Sequence, residues 1–161
     1  RQKGYTEAAI FASRHSYFAT SQRVQAFISS CERLGIETDE KYILKGSSTR
    51  NGGYEIGKQY AALKEPPKMI FCDSDAIALG ALRAFHEEGI SVPGDAELLS
   101  IGMLDPEAAS YYVPSLSVVE MPNKEIGQQV LRLMRKKVLN NDISSEHVKV
   151  HAKLMLRESF S

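Results

Sequence analysis

The sequence has no excess of charge of either sign, because 20 lysine and arginine residues balance 20 aspartate and glutamate residues over 161 positions. A domain that holds nucleic acid through its phosphates normally carries a basic excess or a basic stripe. We therefore do not expect this chain itself to clamp DNA. It also lacks any apolar run of 18 residues, and no signal peptide is visible, so neither a membrane span nor a membrane partner is expected.

Cysteine is scarce, and the two cysteines form no disulfide framework. Cys31 falls on the apolar face of a helical pattern, and Cys72 ends an apolar strand. Both positions fit a reduced, cytoplasmic setting, with a disulfide between them as the open alternative. The chain begins at Arg1 without a methionine, so we expect it to be a fragment of a longer protein.

Signatures of catalysis are absent as well. The sequence contains no G-x-S-x-G elbow, and the Gly-rich stretch 46–53 lacks both the Gly-Lys-Ser/Thr ending of a P-loop and the G-x-G-x-x-G of a dinucleotide turn. Of the four histidines, only His15 lies on a loop that follows a strand. Asp73 and Asp75 stand one residue apart with no histidine nearby, which is a weak metal signal. We therefore expect no enzyme activity, no metal and no cofactor.

The sequence does contain a regular alternation of strand and helix patterns, repeated roughly every 30 residues. Short apolar runs predict strands at 8–12, 42–44, 69–72, 98–101 and 116–119, and apolar residues at helical spacing predict helices at 20–34, 52–64, 75–88 and 123–139. Alternating apolar and polar residues over 148–156 predict a final strand at a sheet edge. This order predicts an α/β fold with a doubly wound, mostly parallel sheet flanked by helices.

In such sheets, ligands bind beyond the carboxyl ends of the strands, where the strand order reverses. The loops that follow the predicted strands are 13–21, 46–53, 73–75, 103–105 and 120–123. Arg23 lies beside the first of these loops, in the first turn of a predicted helix. It has two open interpretations, a surface ion pair or a bidentate clamp on hydroxyl, carboxylate or phosphate groups of a ligand.

Two polar turns also have open interpretations. Ser74 or Asp75 would by default cap the helix that follows, yet a capped helix start still presents free N–H groups to a ligand. The stretch 46–53 is favoured as an ordinary flexible loop, with ligand contact through Ser47, Ser48 or Asn51 as the alternative.

Five stretches of the chain resemble the effector-binding region of the lac repressor and galactose repressor family. They are SQRVQAF (21–27), SDAIALGALRAFHEEGISVPGD (74–95), SIGMLD (100–105), YVPSLSVV (112–119) and KLMLRESF (153–160). The second is close to the family's [NS]-D-x-x-A-x-G-x-x-x-A-x-x-x-x-G-x-x-V-P-x-D and is the most specific, while the others support it. The resemblance spans nearly the whole chain and implies a type I periplasmic-binding-protein-like subdomain.

The same resemblance implies a division of the chain. Residues 1–121 would form the C-terminal effector-binding subdomain, and 122–143 would be a helix that returns to the N-terminal subdomain. Residues 144–161 would supply the final strands of the C-terminal subdomain. The DNA-binding headpiece and most of the N-terminal subdomain would lie outside this chain.

The resemblance also implies where an effector and a second subunit would bind. Effector contacts are expected at His15, Ser21, Arg23, Ser48, Ser74, Asp75, Leu104, Asp105, Met121 and Asn123. A dimer face is expected at Leu79, Leu82, Arg83, Tyr111 and Tyr112. Leu104 stands where the family commonly has an aspartate that takes sugar hydroxyls or a purine edge, and a leucine side chain accepts no hydrogen bond. Ser48 stands where an aromatic side chain often stacks on the ligand.

The function implied is the effector-sensing and dimerisation region of a cytoplasmic, homodimeric transcriptional regulator, expected to be a repressor. A small molecule, expected to be a sugar or a related metabolite, would bind in a cleft between subdomains. It would thereby control the binding of operator DNA, which only the headpiece would contact. Two alternatives stay open: a type I periplasmic sugar-binding protein, which would carry an export signal, and a small α/β enzyme.

Overall fold

A six-stranded sheet with helices on both faces forms the centre of the computed structural model, which describes residues 4–15, 18–102, 107–140 and 145–160. The elements are β1 (Ala8–Ser13), α1 (Phe18–Leu34), β2 (Ile43–Gly46), α2 (Arg50–Ala61), β3 (Met69–Cys72), α3 (Asp75–Glu88), β4 (Glu97–Gly102), β5 (Ser117–Glu120), α4 (Asn123–Asn140) and β6 (Lys153–Met155). The strand order is β2-β1-β3-β4-β5-β6, with β1 to β5 parallel and β6 antiparallel to β5. The predicted fold class is confirmed.

The strand order reverses between β1 and β3, because the chain passes from β1 to β2 on one side and then crosses β1 to reach β3. Helix α1 covers one face, where the rings of Phe27 and Phe71 stack with centroids 4.4 Å apart. Helices α2 and α3 cover the other face, where Phe11 meets Tyr60 at 5.5 Å and Phe85 at 6.3 Å in edge-to-face contacts. Both faces of β1 are therefore buried, as in other doubly wound sheets.

Helices α2 and α3 lie unusually close together because glycines line their contact. A Cβ atom on Gly53 would overlap the carbonyl oxygen of Ile77, and one on Gly80 would overlap the carbonyl oxygen of Arg50. Gly89 ends α3 in the left-handed conformation, with φ of 71°, as the sequence predicts. This packing fixes the start of α3 against the ends of β1 and β3.

The closing Arg157-Glu158-Ser159 segment acts as a clasp at the amino end of the sheet. The Ser159 hydroxyl donates to the Leu98 carbonyl and accepts from the Ser117 N–H, both at 2.8 Å. The Arg157 guanidinium donates to a main-chain carbonyl next to β5, and the Glu158 carboxylate accepts from Ser115. The clasp joins β4 and β5 at their amino ends, opposite the carboxyl ends at which ligands of such sheets bind.

Several predicted boundaries are wrong by a few residues, for local reasons. Strand β2 begins at Ile43 rather than 42, because the Asp39 side chain caps a 3-10 turn that includes Tyr42. Helix α2 begins at Arg50, because the Thr49 hydroxyl accepts from the Gly52 N–H. The last strand pairs only over 153–155 rather than 148–156, since β5, its neighbour, supplies partners for three residues.

Helix α4 carries an apolar surface that the described part of the chain leaves exposed. Its exposed apolar residues are Val130, Leu131, Met134, Val138 and Leu139. The carboxylate of Glu146 pairs with Arg132 at 2.7 Å and with Lys136 at 2.9 Å, which ties the segment after the helix to its polar side. An exposed apolar surface of this kind usually marks a contact with another domain or protein.

Candidate functional site

The carboxyl ends of β1 and β3 are adjacent at the point where the strand order reverses, and a cavity of about 220 Å³ opens there. We call it the switch-point cavity. It is lined by Ser13, Thr20, Arg23, Ser48, Asp73, Ser74, Asp75 and Ala76. Its position matches the place that the strand and helix pattern predicts for a ligand.

The structure brings four of the predicted effector contacts together in this cavity: Arg23, Ser48, Ser74 and Asp75. They arrive from three different segments, the start of α1, the loop after β2 and the turn after β3. A few convergent polar groups around one cavity are typical of ligand-binding sites.

The other predicted contacts lie elsewhere. Ser21 lines a neighbouring cavity, and His15 is exposed outside both. Met121 is half-buried against the α1 face of the sheet, and Asn123 is exposed at the start of α4. Residues 104 and 105, Leu104 and Asp105, fall outside the described residues. The effector roles of all these residues stay predictions.

The floor of the switch-point cavity is a buried carboxylate, Asp73, for which the sequence alone gives only a weak metal signal. Asp73 is 2% exposed, and its Oδ2 atom accepts a 2.7 Å hydrogen bond from the Ser13 N–H. Burial raises the pKa of Asp73, while the bond from Ser13, a bond with Ser74 and the positive charge of Arg23 oppose the rise. Asp73 therefore joins the ends of β1 and β3 and places negative charge beneath the cavity.

Arg23 lies half-buried above the end of β3. Its Nη1 atom donates to the Asp73 carbonyl oxygen at 3.4 Å, so the guanidinium is held at the cavity wall. A planar guanidinium carries five donors in a fixed fork, a geometry that suits hydroxyl, carboxylate or phosphate oxygens of a ligand in the cavity that Arg23 lines. Of the two interpretations made from sequence, this position favours the clamp.

Ser74 combines two tasks at the start of α3. Its hydroxyl accepts from the Ile77 N–H at 3.4 Å, so the default prediction of an N-cap is confirmed. The same side chain lines the cavity, and Asp75 follows it in the first turn. A carboxylate in the first turn of a helix is favoured by the helix dipole, which makes this turn a stable place for charge.

Ser13, which the sequence predicts only as the first position of the loop 13–21, is a site residue in the structure. It is 7% exposed, and its hydroxyl has no hydrogen-bond partner among the described residues. Buried polar atoms without a partner are rare in proteins and call for an explanation. A ligand atom is one such explanation, since Ser13 lines the switch-point cavity.

A second cavity, of about 240 Å³, adjoins the first and shares Ser13 and Thr20 with it. We call it the basic cleft. Its other polar lining residues are Arg14, Ser21, Gln25 and Lys45, with Ala12 and Val24 as the apolar ones. Ser21 is the one predicted effector contact in this lining, and neither of the two cations belongs to a motif in the sequence.

The predicted dimer face is also a physical feature of the surface. Leu79, Leu82, Arg83 and Tyr112 line one groove of about 370 Å³ together with His86 and Val113. Tyr111 is 76% exposed beside them, and Val113 is 95% exposed. Whether this face binds a second copy stays a prediction.

The described residues contain no group of three histidine, cysteine, aspartate or glutamate side chains arranged to hold a metal ion. Cys31 and Cys72 are both buried and unpaired. In the described part of the chain, no helix combines the length and the apolar character needed to cross a membrane.

Known proteins of similar sequence are transcription regulators and not enzymes. A family model described as a periplasmic binding protein-like domain matches residues 1–160. The HTH-type transcriptional repressor PurR of Mannheimia succiniciproducens is 27% identical over 156 residues, which cover 97% of this chain and 46% of the relative. The chain thus spans about half the length of the curated relatives it matches.

Solved structures show the same fold. A LacI family transcription regulator from Clostridium acetobutylicum superposes with a TM-score of 0.90 and 30% identity, over 97% of this chain and 58% of that one. The transcriptional regulator CelR superposes with a TM-score of 0.88 over 98% of this chain and 48% of that one. At 23% identity, the likeness to CelR shows a shared fold alone.

Proposed function

Because the chain belongs to the periplasmic-binding-protein-like domain family, as the effector-binding region of LacI-family transcriptional regulators, we propose that it senses a small polar effector in the switch-point cavity. Effector binding would bias a closure between this region and the rest of the protein. The closure would change how a headpiece outside these residues engages operator DNA, with repression as the expected outcome of that engagement. Such a regulator acts in the cytoplasm.

One observation carries the proposal. Arg23, Ser48, Ser74 and Asp75 converge from three segments on one cavity, at the reversal of strand order where sheets of this class bind ligands.

The lining indicates the chemistry of the effector. Serine and threonine hydroxyls, two carboxylates and one guanidinium surround the cavity, with one alanine as the apolar contribution. Such groups pair with a ligand rich in hydroxyls, which donate to carboxylates and accept from a guanidinium. A sugar or a related metabolite fits this description. The CelR regulator, which shares the fold, was solved in complex with cellobiose, in line with a sugar ligand.

Replacing Arg23 by alanine tests the proposal in the intact protein that contains this chain. A thermal-shift screen of sugars, sugar phosphates and nucleobases would first find an effector for the unchanged protein. Calorimetric titration should then show binding to Arg23→Ala that is weaker by about tenfold or more, because a hydrogen bond from a charged group contributes roughly 1.5–3 kcal/mol.

Arg33→Ala is the matched control. Arg33 lies in the last turn of the same helix, donates to the Ser30 hydroxyl and lines neither cavity. It should bind the effector like the unchanged protein. Equal binding by Arg23→Ala and Arg33→Ala would contradict the role of the cavity.

The proposal includes a homodimer formed through the predicted face. The support is that Leu79, Leu82, Arg83 and Tyr112 line one groove and that Tyr111 and Val113 stand exposed at its side. Apolar and aromatic side chains around one arginine are the composition typical of interface centres.

The proposal also assigns the domains. Residues 1–121 would be the C-terminal subdomain, and 122–143 would pack α4 on the N-terminal subdomain. Residues 144–161 would return to the C-terminal subdomain and complete its sheet. The support is the exposed apolar surface of α4 and the pairing of β6 with β5 after it.

A further inference from the structure

The basic cleft beside the switch-point cavity has the features of an anion site. We propose that it binds an oxyanion, a phosphate or a carboxylate group of the effector, through Arg14 and Lys45. The proposal rests on the function proposed above, and it narrows the effector to an acidic or phosphorylated polyol whose neutral part occupies the switch-point cavity.

The two cations come together through the sheet. Lys45 pairs in register with Ala12 on the neighbouring strand, and Arg14 follows two residues later. The Arg14 N–H donates to the Gly46 carbonyl at 2.6 Å, which fixes the backbone of Arg14 beside the end of β2. Both side chains are exposed and both line the cleft.

The charge of the cleft is uncompensated within the described residues. Its lining holds two cations and no carboxylate, whereas the switch-point cavity holds one cation and two carboxylates. Neither Arg14 nor Lys45 forms an ion pair with a described acidic residue. An oxyanion would supply the missing negative charge and accept charge-assisted hydrogen bonds from both side chains.

Hydroxyl donors complete the cleft. The Ser13 hydroxyl is nine-tenths buried without a hydrogen-bond partner among the described residues, and it lines both cavities. Thr20 and Ser21 lie in the first turn of α1, which contains no acidic residue. The first turn of a helix favours negative charge, so the helix dipole adds to the two cations.

The shared lining joins the two cavities into one extended site with opposite charge at its two ends. Ser13 and Thr20 stand between the basic cleft and the carboxylates at the end of β3. A neutral sugar would use only the switch-point cavity, and a simple anion would use only the basic cleft. A sugar that carries one phosphate or carboxylate would use both.

Binding of inorganic phosphate to the intact protein tests the subsite without knowledge of the effector. Phosphate titrations at constant ionic strength, with chloride as the balancing ion, would be followed by calorimetry and by the melting temperature. We expect saturable binding that weakens about tenfold for Arg14→Met or Lys45→Met, since each removes a charge-assisted contact. Ser13→Ala should weaken it less.

Lys64→Met is the control, because Lys64 is an exposed lysine just beyond α2 and lines neither cavity. It should bind phosphate as the unchanged protein does, and each variant should melt at the unchanged temperature without phosphate. Failure of phosphate to bind, or unchanged binding by the double variant Arg14→Met/Lys45→Met, would overturn the subsite.

A matched set of glucose, glucose 6-phosphate and glucuronate separates the two sources of negative charge. Tighter binding of the phosphate ester or of the uronate than of glucose, lost with Arg14→Met, supports the subsite and identifies the group. Sugar binding that depends on Arg23 but not on charge would sink the subsite and leave the proposed function intact. Phosphate binding through Arg14, with no sugar or other metabolite bound through Arg23, would support the subsite and contradict the proposed function.

Discussion

Replacing Ser159 by alanine tests whether the closing segment holds the sheet at its amino end. The Ser159 side chain is 0% exposed, and its hydroxyl both accepts from the Ser117 N–H and donates to the Leu98 carbonyl at 2.8 Å. Alanine removes both bonds at once. Because the position is enclosed, the two main-chain groups would stay buried with one partner fewer.

The size of the effect follows from the burial. A buried donor or acceptor left without a partner costs roughly 1–3 kcal/mol, so two such groups should lower the free energy of unfolding by about 2–6 kcal/mol. Ser115→Ala provides the comparison within the same clasp. The Ser115 hydroxyl is also in two hydrogen bonds, both with Glu158, but these are solvent-exposed. Water replaces exposed bonds, so the expected loss is below about 1 kcal/mol.

Hydrogen exchange read by mass spectrometry measures this difference in the intact protein, strand by strand. Peptides that cover 97–102 and 115–120 should exchange at least about 30 times faster in Ser159→Ala, since each 1.4 kcal/mol corresponds to a factor of ten. Ser115→Ala should change the same peptides by less than about fivefold. If the two variants exchanged alike, burial of the hydrogen bonds would not be what makes the clasp hold.

Three further outcomes are expected. Leu79→Lys should make the protein monomeric in sedimentation at concentrations where Leu79→Ala is still dimeric, because it places a charge in an apolar contact; a dimeric lysine variant would argue against that face. Asp73→Asn should raise the free energy of unfolding at neutral pH. Burial raises the pKa of Asp73 above its ordinary 3.8, so the folded state holds the proton more tightly, and stability falls as pH rises from 3.8 through the folded pKa. Urea titrations across this range should show that fall in the parent and not in the variant. Gly80→Ala should destabilise the protein by about 1–3 kcal/mol, because the new methyl group overlaps the Arg50 carbonyl, and an unchanged melting curve would refute the close packing of α2 and α3.

Much of the fold follows from local patterns in the sequence. The apolar runs place β1 and β3, and the polar turn at Ser74 with the glycine at position 89 sets both ends of α3, because a cap and a left-handed stop are local devices. Alternation of strands and helices is enough to predict that ligands approach the carboxyl ends of the parallel strands. The cavity at Arg23 lies at that edge.

The parts that sequence reasoning missed depend on contacts between distant segments. Lys45 belongs to a short strand pattern, and nothing local shows that its strand pairs beside Arg14. No local pattern marks the hydroxyl of Ser13. It lacks a partner in the fold because Asp73, at the end of β3, accepts from the main-chain N–H of Ser13 and not from the hydroxyl. The alternation over 148–156 predicts too long a last strand, because β5 pairs with it at three residues only among those described, and the alternation carries no information about the length of a neighbour.

The amino and carboxyl ends of the parallel strands differ in how many of their buried polar groups have hydrogen-bond partners, and this difference bears on function. At the amino end, the Ser159 hydroxyl of the clasp takes part in two 2.8 Å hydrogen bonds, and the Ser117 hydroxyl donates to the Arg157 carbonyl at 3.0 Å. The two buried hydroxyls without a partner among the described residues, on Ser13 and Ser100, both lie in the carboxyl-terminal half of their strands. Of these two, Ser13 lines the switch-point cavity, so a polar ligand that reached its hydroxyl would supply a hydrogen bond that the described residues leave unmade. The amino ends of the strands are therefore held by hydrogen bonds within the protein, while a group at the carboxyl ends stays available to a ligand. A closure controlled by ligand binding needs such a difference.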